Sequence, residues 1–326
     1  MAIILGIEST AHTFGIGVVK DGKIIANVRA AYTTDKGGII PMEAAKHHEE
    51  KKYEVYEEAL KQSGVKEKDI EAIAYSQGPG LAPSLLVGMK FTKELAGKLK
   101  VPTVPVNHCI AHLEVGRITG AKDPVMLYAS GANTQIIAYA AGKFRIFGET
   151  LDVGIGNFID NFARYAGLGF PGGPKIQEMA KKGKNYIELP YKVKGMDVAF
   201  SGILTNLKQK IESGKYNMDD LSFSLQETVF AMLIEISERA LAHTGKNELL
   251  LGGGVGCNSR LQEMCKIMCE ERGAKFFVPE RGLLVDNGAM IAFLGEIMFN
   301  SGIREKSEKA DIKPRQRTDD VEVSWR

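Results

Sequence analysis

The sequence lacks any apolar run long enough to cross a membrane. A transmembrane helix needs roughly 18 or more consecutive apolar residues, and every apolar run here is much shorter. The first run, Ala2-Ile3-Ile4-Leu5, is followed closely by Glu8 and is too short for a secretory signal. We therefore expect a cytoplasmic protein with no membrane partner.

Cysteine is also scarce. The chain contains four cysteines, and their spacing is not that of a secreted disulfide framework. Two of them, Cys265 and Cys269, lie four residues apart on a predicted helix, where we expect buried thiols. This pattern favours a reducing compartment.

Neither sign of charge is in excess. The sequence has 42 basic and 40 acidic side chains, a net charge of +2. The net charge therefore argues neither for nor against nucleic-acid binding, and any basic surface has to be local. The length of 326 residues, with 44% hydrophobic and 25% charged residues, is typical of a globular protein of two domains.

The sequence does contain a pair of histidines directly after a predicted buried strand at 101–106. In a helix, His108 and His112 would lie on the same face, where two imidazoles can bind one metal ion. Zincins use this spacing with a Glu after the first histidine. Because Cys109 stands at that position here, a protease would lack its general base. The alternative is a pair of partly buried histidines that cap the helix.

The order of predicted elements occurs twice. A three-stranded meander, followed by alternating helices and strands, begins near residue 2 and again near residue 125. This order predicts an α/β protein with two related lobes and a cleft between them. We expect the lobes at 1–124 and 125–303.

The last stretch, residues 304–326, is a charged tail that we expect to pack back on the protein. The part at 304–317 is charged and has the composition of a disordered tail. The part at 321–325 alternates like a strand, and we expect it to pack back on the protein.

Polar or glycine-rich turns follow the first strand of each predicted lobe. They are Glu8-Ser9-Thr10-Ala11-His12 and Ser130-Gly131-Ala132-Asn133, and a third turn, 252–258, leads into a helix. Backbone N–H groups of such turns can bind phosphates, and a helix N-terminus favours negative charge. None of the three turns matches the P-loop or the GxGxxG fingerprint.

Other polar positions have structural alternatives. Asp286 precedes a predicted helix and is either a third metal ligand or an N-cap. Asp219 or Asp220 is expected to cap a long amphipathic helix. His47 and His48 are adjacent on a predicted helix and cannot face the same way, so we expect them at the surface or in an interface.

The motifs together resemble a known family. The doubled element order is similar to the actin-like, sugar-kinase and Hsp70-type (ASKHA, RNase H-like) fold. More narrowly, the chain resembles the universal tRNA threonylcarbamoyladenosine transferases, the catalytic subunits of the KEOPS complex in archaea and eukaryotes. The matching stretches are 78–80, 108–114, 128–135, 170–174, 199–202, 253–255, 286–290 and 317–325. They are distributed along the chain from residue 78 to residue 325.

This resemblance implies a metal and an adenine nucleotide. The family's metal ligands fall on His108, His112, Tyr128 and Asp286, a mixed N/O set suited to one divalent ion, Fe²⁺ before Zn²⁺. The implied nucleotide-binding residues are Tyr128, Ala129, Ser130, Gly131, Ala132, Asn133, Asp160, Gly173, Gln177 and Asn258. The turn with Glu8, Ser9, Thr10 and His12 matches the family's loop facing the cleft. No residue is assigned as general base.

The resemblance also implies a reaction and partners. The threonylcarbamoyl group would pass from threonylcarbamoyl-AMP to N6 of the adenosine beside the anticodon, in tRNAs that read codons starting with A, and AMP would leave. ATP could occupy the same cleft. The implied partners are tRNA, a small kinase-like ATPase, a dimerising subunit on the N-terminal lobe and a small tRNA-binding subunit. With near-zero net charge, tRNA affinity is expected to come largely from these partners.

The chain departs from the family pattern at a few positions. Ala132 replaces a common glycine, and Gln177 replaces a glutamate thought to face the ribose. Ile40 and Met42 replace a histidine and an arginine, which weakens any tRNA or partner contact there. The four metal positions are intact, which argues against the bacterial partner paralogue of this fold.

Two other classes of function make different predictions. A metal hydrolase, such as a protease, is supported only by the histidine spacing and predicts peptide cleavage. A non-catalytic actin-like scaffold predicts ATP binding without any modified base.

Overall fold

Two five-stranded sheets form the framework of the protein in this computed structural model, which describes residues 2–34 and 38–326. The first sheet has the order β3-β2-β1-β4-β5. Its strands are β1 (Ile3–Glu8), β2 (Thr13–Lys20), β3 (Lys23–Ala31), β4 (Ala72–Gly78) and β5 (Thr103–Asn107). The meander β1–β3 is antiparallel, whereas β4 and β5 join it in parallel.

Three helices accompany this sheet: α1 (Pro41–Ser63), α2 (Ala82–Leu99) and α3 (His108–Val115). Pro41 occupies the first turn of α1, and Gly64 ends that helix in the left-handed conformation at φ 66°. His48 on α1 is fully buried and His47 is partly buried. The expectation that both lie at the surface or in an interface is therefore wrong for His48, because its face of the helix packs against the first sheet inside the protein.

The second sheet repeats the arrangement of the first, in the order β12-β11-β6-β7-β8. Its strands are β6 (Val125–Ala129), β7 (Thr134–Ala140), β8 (Lys143–Glu149), β11 (Glu248–Gly252) and β12 (Lys275–Phe277). The meander β6–β8 is again antiparallel, and β11 and β12 are again parallel to β6 and to each other. The predicted doubled α/β architecture is confirmed.

The remaining elements surround the second sheet and return to the first. They are α4 (Ile155–Tyr165), α5 (Gly173–Ala180), the hairpin β9 (Val193–Lys194) and β10 (Asp197–Val198), α6 (Ser201–Glu212), α7 (Met218–Thr244), α8 (Ser259–Arg272), α9 (Arg281–Leu284) and α10 (Gly288–Asn300). The side chain of Asn217 caps α7, so the predicted cap at Asp219 or Asp220 is wrong. Cys265 and Cys269 are buried, as predicted.

Helix α10 lies directly on the first sheet, although it follows the second sheet in sequence. The approach is so close that only glycine fits beneath it. A Cβ at Gly17 would lie 2.2 Å from the backbone nitrogen of Ala289, and one at Gly6 would lie 2.2 Å from that of Ala292. The division at 124 and 303 stays a prediction, but this helix ties the segment before it to the first sheet.

The C-terminal stretch 304–326 packs along the protein. Glu305 bridges to Thr103, and the backbone nitrogen of Lys313 donates to the Gln77 carbonyl at 2.7 Å. Although 304–317 has the composition of a disordered tail, its backbone forms hydrogen bonds with the first sheet. The side chains of Val321, Val323 and Trp325 pack against the hydrophobic core that includes residues of α3 and α10, and the stretch 321–325 forms no strand in the described structure.

Candidate metal and nucleotide site

Helix α3 places the two histidines inside the protein. The Asn107 side chain caps the helix by accepting a hydrogen bond from the Ile110 backbone nitrogen at 3.1 Å. His108 is 4% exposed and His112 is 1% exposed, and their ring centroids lie 4.9 Å apart. The histidines therefore do not cap the helix, and the alternative interpretation of the pair is wrong.

Asp286 reaches both histidines from the short segment between α9 and α10. Its Oδ1 lies 3.4 Å from Nε2 of His108 and 3.4 Å from Nε2 of His112. Asn287, not Asp286, caps α10 by accepting from the Met290 backbone nitrogen at 2.9 Å. The carboxylate of Asp286 is thus free for the histidines, and the ligand atoms of the three residues lie within 4.8 Å of one another.

A second acidic residue holds His108 from its other side. The Glu8 Oε2 atom lies 2.9 Å from His108 Nδ1, and the Thr10 hydroxyl lies 3.2 Å from the same nitrogen. The Thr10 backbone nitrogen donates to Glu8 Oε1 at 2.6 Å. A carboxylate on one ring nitrogen orients the other nitrogen toward a metal in many metalloproteins. The sequence placed Glu8 in the cleft loop but did not predict this contact.

The electrostatics of the cluster suit a cation. Burial opposes the charge on His108, but the carboxylates of Glu8 and Asp286 raise its pKa well above the usual value. Burial lowers the pKa of His112. Burial alone would raise the pKa of Asp286, yet the two imidazoles bring it well below its usual range. A neutral His112 and an ionised Asp286 are the forms that bind metal, whereas His108, whose raised pKa favours the protonated imidazole, would release a proton when an ion binds.

Tyr128 adds an oxygen to the same place. It lies near the end of β6 with its ring centroid 5.1 Å from that of His112, and it is fully buried. Its hydroxyl has no hydrogen-bond partner among residues 2–34 and 38–326. A buried hydroxyl without a partner is costly, and a metal ion held by the neighbouring cluster would satisfy it. The four residues therefore fit a metal with mixed N/O ligands.

Two tight turns lie beside this cluster at the ends of parallel strands β6 and β11. The turn 130–133 is closed by a hydrogen bond from the Ser130 backbone nitrogen to the Asn133 carbonyl at 2.9 Å. Gly253 has a φ of 86°, and a Cβ there would lie 2.4 Å from the Ala129 carbonyl. The carboxyl ends of parallel strands are the usual place for a ligand in open α/β sheets.

The other predicted nucleotide-binding residues form two groups around these turns. Asp160 accepts from the Gly172 backbone nitrogen at 2.8 Å, beside Gly173, and burial raises its pKa. Gln177 donates to the Ser259 hydroxyl at 3.2 Å, next to Asn258. His12 meets this region through Phe170, with ring centroids 5.5 Å apart.

Asn258 is already engaged within the protein. Its side chain caps α8 by accepting from the Arg260 backbone nitrogen at 2.9 Å, and it donates to Gln226 at 2.6 Å. Sequence reasoning missed Gln226 and Ser259. Gln226 could have been suspected, because it is a polar residue on the buried face of α7, whereas Ser259 is an ordinary helix start.

The fold is that of the actin-like class. The chain superimposes with a TM-score of 0.63 on HypF from T. kodakarensis, at 16% identity, covering 95% of this chain and 48% of that one. With component A of the Acidaminococcus fermentans (R)-2-hydroxyglutaryl-CoA dehydratase the TM-score is 0.54 at 13% identity, with 90% and 97% covered. Identities this low establish the shared fold alone.

Sequence comparison narrows the class to one family. Residues 23–293 match the TsaD family, tRNA N6-adenosine threonylcarbamoyltransferase. The chain is 56% identical to the Thermococcus sibiricus protein of that name, over 99% of this chain and all of the relative. It is 50% identical to a Drosophila melanogaster protein described as a probable enzyme of the same name, over 100% and 99% of the two chains. The chain belongs to the tRNA N6-adenosine threonylcarbamoyltransferase family, and it is a transferase.

A third relative is longer than this chain. The chain is 51% identical to a Methanosarcina mazei protein named as a probable bifunctional tRNA threonylcarbamoyladenosine biosynthesis protein. The match covers 99% of this chain and 59% of that protein. None of the helices in the described ranges is long and apolar enough to span a membrane.

Proposed function

We propose that the protein transfers a threonylcarbamoyl group from threonylcarbamoyl-AMP to N6 of the adenosine beside the anticodon, in tRNAs that read codons starting with A. The observation that carries this proposal is the cluster of His108, His112 and Asp286 next to the two turns that follow β6 and β11, in a chain of this family. AMP leaves, and the N6 amine gains the carbonyl carbon as it loses a proton.

We assign His108, His112, Tyr128 and Asp286 as ligands of one divalent metal ion. Nitrogen and oxygen donors together with a tyrosine favour Fe²⁺ before Zn²⁺. Such an ion, when bound, supplies a Lewis acid for the carbonyl or phosphate oxygen of the donor substrate. The protein's own contribution is orientation, because Glu8 accepts the Nδ1 proton of His108 and leaves Nε2 facing Asp286.

The adenylate is assigned to the turns and to the residues behind them. The residues in this assignment are Tyr128, Ala129, Ser130, Gly131, Ala132, Asn133, Asp160, Gly173, Gln177 and Asn258. Backbone N–H groups of the turns would stabilise the negative charge that builds on the leaving phosphate. Gln177 retains an amide that can hydrogen-bond a ribose hydroxyl, and its contact with Ser259 holds it beside Asn258.

We expect the enzyme to act on tRNA in the cytoplasm together with other KEOPS subunits. These are a small kinase-like ATPase, a dimerising subunit on the first sheet's side and a small tRNA-binding subunit. The bifunctional description of the longer M. mazei relative supports a linked second activity in that protein.

Mass spectrometry of nucleosides tests the proposal. Unmodified tRNA is incubated with threonylcarbamoyl-AMP, the partner subunits and either the wild type, His108→Ala or His243→Ala. The last is a matched control, because His243 is an exposed histidine on α7. We expect threonylcarbamoyladenosine from the wild type and the control, with loss of product and of bound metal in His108→Ala. No product from any chain would favour the scaffold, and equal product from all would remove the metal site from the mechanism.

A further inference from the structure

We propose that a basic and aromatic surface on α4, α5 and α6, formed by Arg164, Tyr165, Lys175 and Lys208, binds RNA directly. This inference rests on the proposed function, because it identifies where the tRNA substrate contacts this chain. We refer to these four residues as the α4–α6 surface.

The first observation is a local excess of positive charge. Residues 161–216 contain ten Lys and Arg against four Asp and Glu, although the whole chain carries only +2. The rest of the chain is therefore net acidic. A local excess of positive charge on a near-neutral protein favours binding of a phosphate-rich partner such as RNA. It is also the kind of local basic surface that the net charge leaves possible.

The second observation is the geometry around Tyr165. The Arg164 guanidinium lies 5.6 Å from the centroid of the Tyr165 ring, and the Lys208 ammonium lies 5.4 Å from it. Arg164 and Lys208 are exposed, and Tyr165 is partly exposed. An aromatic ring flanked by two cations can stack an unpaired base while the cations neutralise phosphates. The same segment carries three further exposed tyrosines, Tyr186, Tyr191 and Tyr216.

The third observation is the position of this surface relative to the candidate site. Arg164 lies one turn beyond Asp160 on α4. Asp160 accepts from the Gly172 backbone nitrogen, and Lys175 is exposed in the first turn of the helix that follows. A Cβ at Gly172 would lie 2.3 Å from the Ala163 side chain, so α4 and the start of α5 are in direct contact. RNA bound here would lie beside the predicted nucleotide-binding residues.

The test compares a triple variant with a matched control. Arg164→Gln, Lys175→Gln and Lys208→Gln remove three positive charges from the α4–α6 surface. Lys66→Gln, Lys68→Gln and Lys100→Gln remove three exposed charges near the first sheet. Binding of an unmodified tRNA transcript by the full chain is measured from about 50 to 200 mM salt, and tRNA KM and kcat are measured in the reconstituted assembly.

We expect the triple variant to lose on the order of tenfold or more in affinity at low salt, with a salt slope smaller by roughly 2–3. Its KM for tRNA should rise while kcat stays near the wild type. Tyr165→Leu should weaken binding on the order of tenfold, and Tyr165→Phe should retain it, because the ring stacks and the hydroxyl does not. The control should match the wild type in both assays.

An unchanged KM and salt slope in the triple variant would overturn the proposal. Unchanged tRNA binding together with loss of a partner subunit would also overturn it, since the surface would then be a protein interface. If the wild type forms no threonylcarbamoyladenosine, the proposed function fails, and the binding measurement still decides the RNA surface.

Discussion

Glu8 lies fully buried beneath His108 and accepts a hydrogen bond from its Nδ1. Replacing Glu8 with glutamine keeps the size of the side chain but removes the charge that orients the imidazole. We expect Glu8→Gln to lower metal affinity about 10–100-fold, measured as metal retained after dialysis against increasing chelator. Glu57→Gln, an exposed site on α1, is the control. Equal retention by both variants would contradict the role of Glu8.

His48 is buried in α1 against the first sheet, and burial lowers its pKa from 6.5 to about 3. Between about pH 6.5 and pH 3, His48 is therefore protonated in the unfolded chain but stays neutral in the folded protein. The free energy of unfolding consequently falls as the pH drops from 6.5 toward 3. The slope is about 1.4 kcal/mol per pH unit.

We expect the non-titrating variant His48→Gln to lack this dependence. The free energy of unfolding of the wild type minus that of the variant, measured by denaturant unfolding, should fall by about 2 kcal/mol as the pH is lowered from 6.5 to 5. His243→Gln, which changes an exposed histidine, should not alter that difference. A constant difference for His48→Gln would show that His48 does not resist protonation.

At the scale of elements, the C-terminal stretch is tied to helix α3, which carries the candidate metal ligands His108 and His112. Glu114 on α3 is fully buried and accepts from Arg326 Nε at 2.8 Å and from Arg117 at 3.3 Å. The Arg326 guanidinium also lies 4.9 Å from the ring centroid of Tyr139. The ion pair of Glu114 with Arg326 therefore holds the end of α3, two residues beyond His112, against the C-terminal stretch.

Removing Arg326 leaves the buried Glu114 carboxylate with Arg117 as its remaining cationic partner among the described residues. We expect Arg326→Leu to destabilise the protein by about 3 kcal/mol, measured by denaturant unfolding. The double variant Glu114→Leu/Arg326→Leu should recover part of the loss, because no charge is then left unpaired. Arg315→Leu, an exposed position in the same stretch, is the control. A double variant as unstable as the sum of the single ones would contradict this coupling.

The elements were largely predictable from sequence, whereas the contacts between them were not. Pro41, Gly64 and the turn at Asp21-Gly22 fixed element ends through backbone preference. The cap at Asn217 was assigned to Asp219 or Asp220, and an N-cap was one of two alternatives for Asp286, because Asp and Asn have similar cap preferences. Glu8 reaching His108 across 100 positions is a tertiary contact, and no local pattern encodes it.

At the scale of the whole molecule, Gly17 links the first sheet to the segment that carries Asp286. A Cβ there would lie 2.2 Å from the backbone nitrogen of Ala289, so Gly17→Ala must push α10 away from the sheet. Asp286 lies two residues before α10 and would move with it. We expect a loss of about 1–3 kcal/mol in stability together with weaker metal retention, measured by unfolding and by chelator dialysis.

Gly97→Ala provides the matched substitution. Gly97 lies within α2, and a Cβ there meets no heavy atom within 4 Å in the described parts of the chain. Alanine at this position should leave metal retention unchanged and raise stability by about 0.5–1 kcal/mol, because glycine weakens a helix interior. If Gly17→Ala lowers stability but retains metal like Gly97→Ala, the position of Asp286 does not depend on how closely α10 approaches the sheet. The two sheets would then support the site independently of that helix.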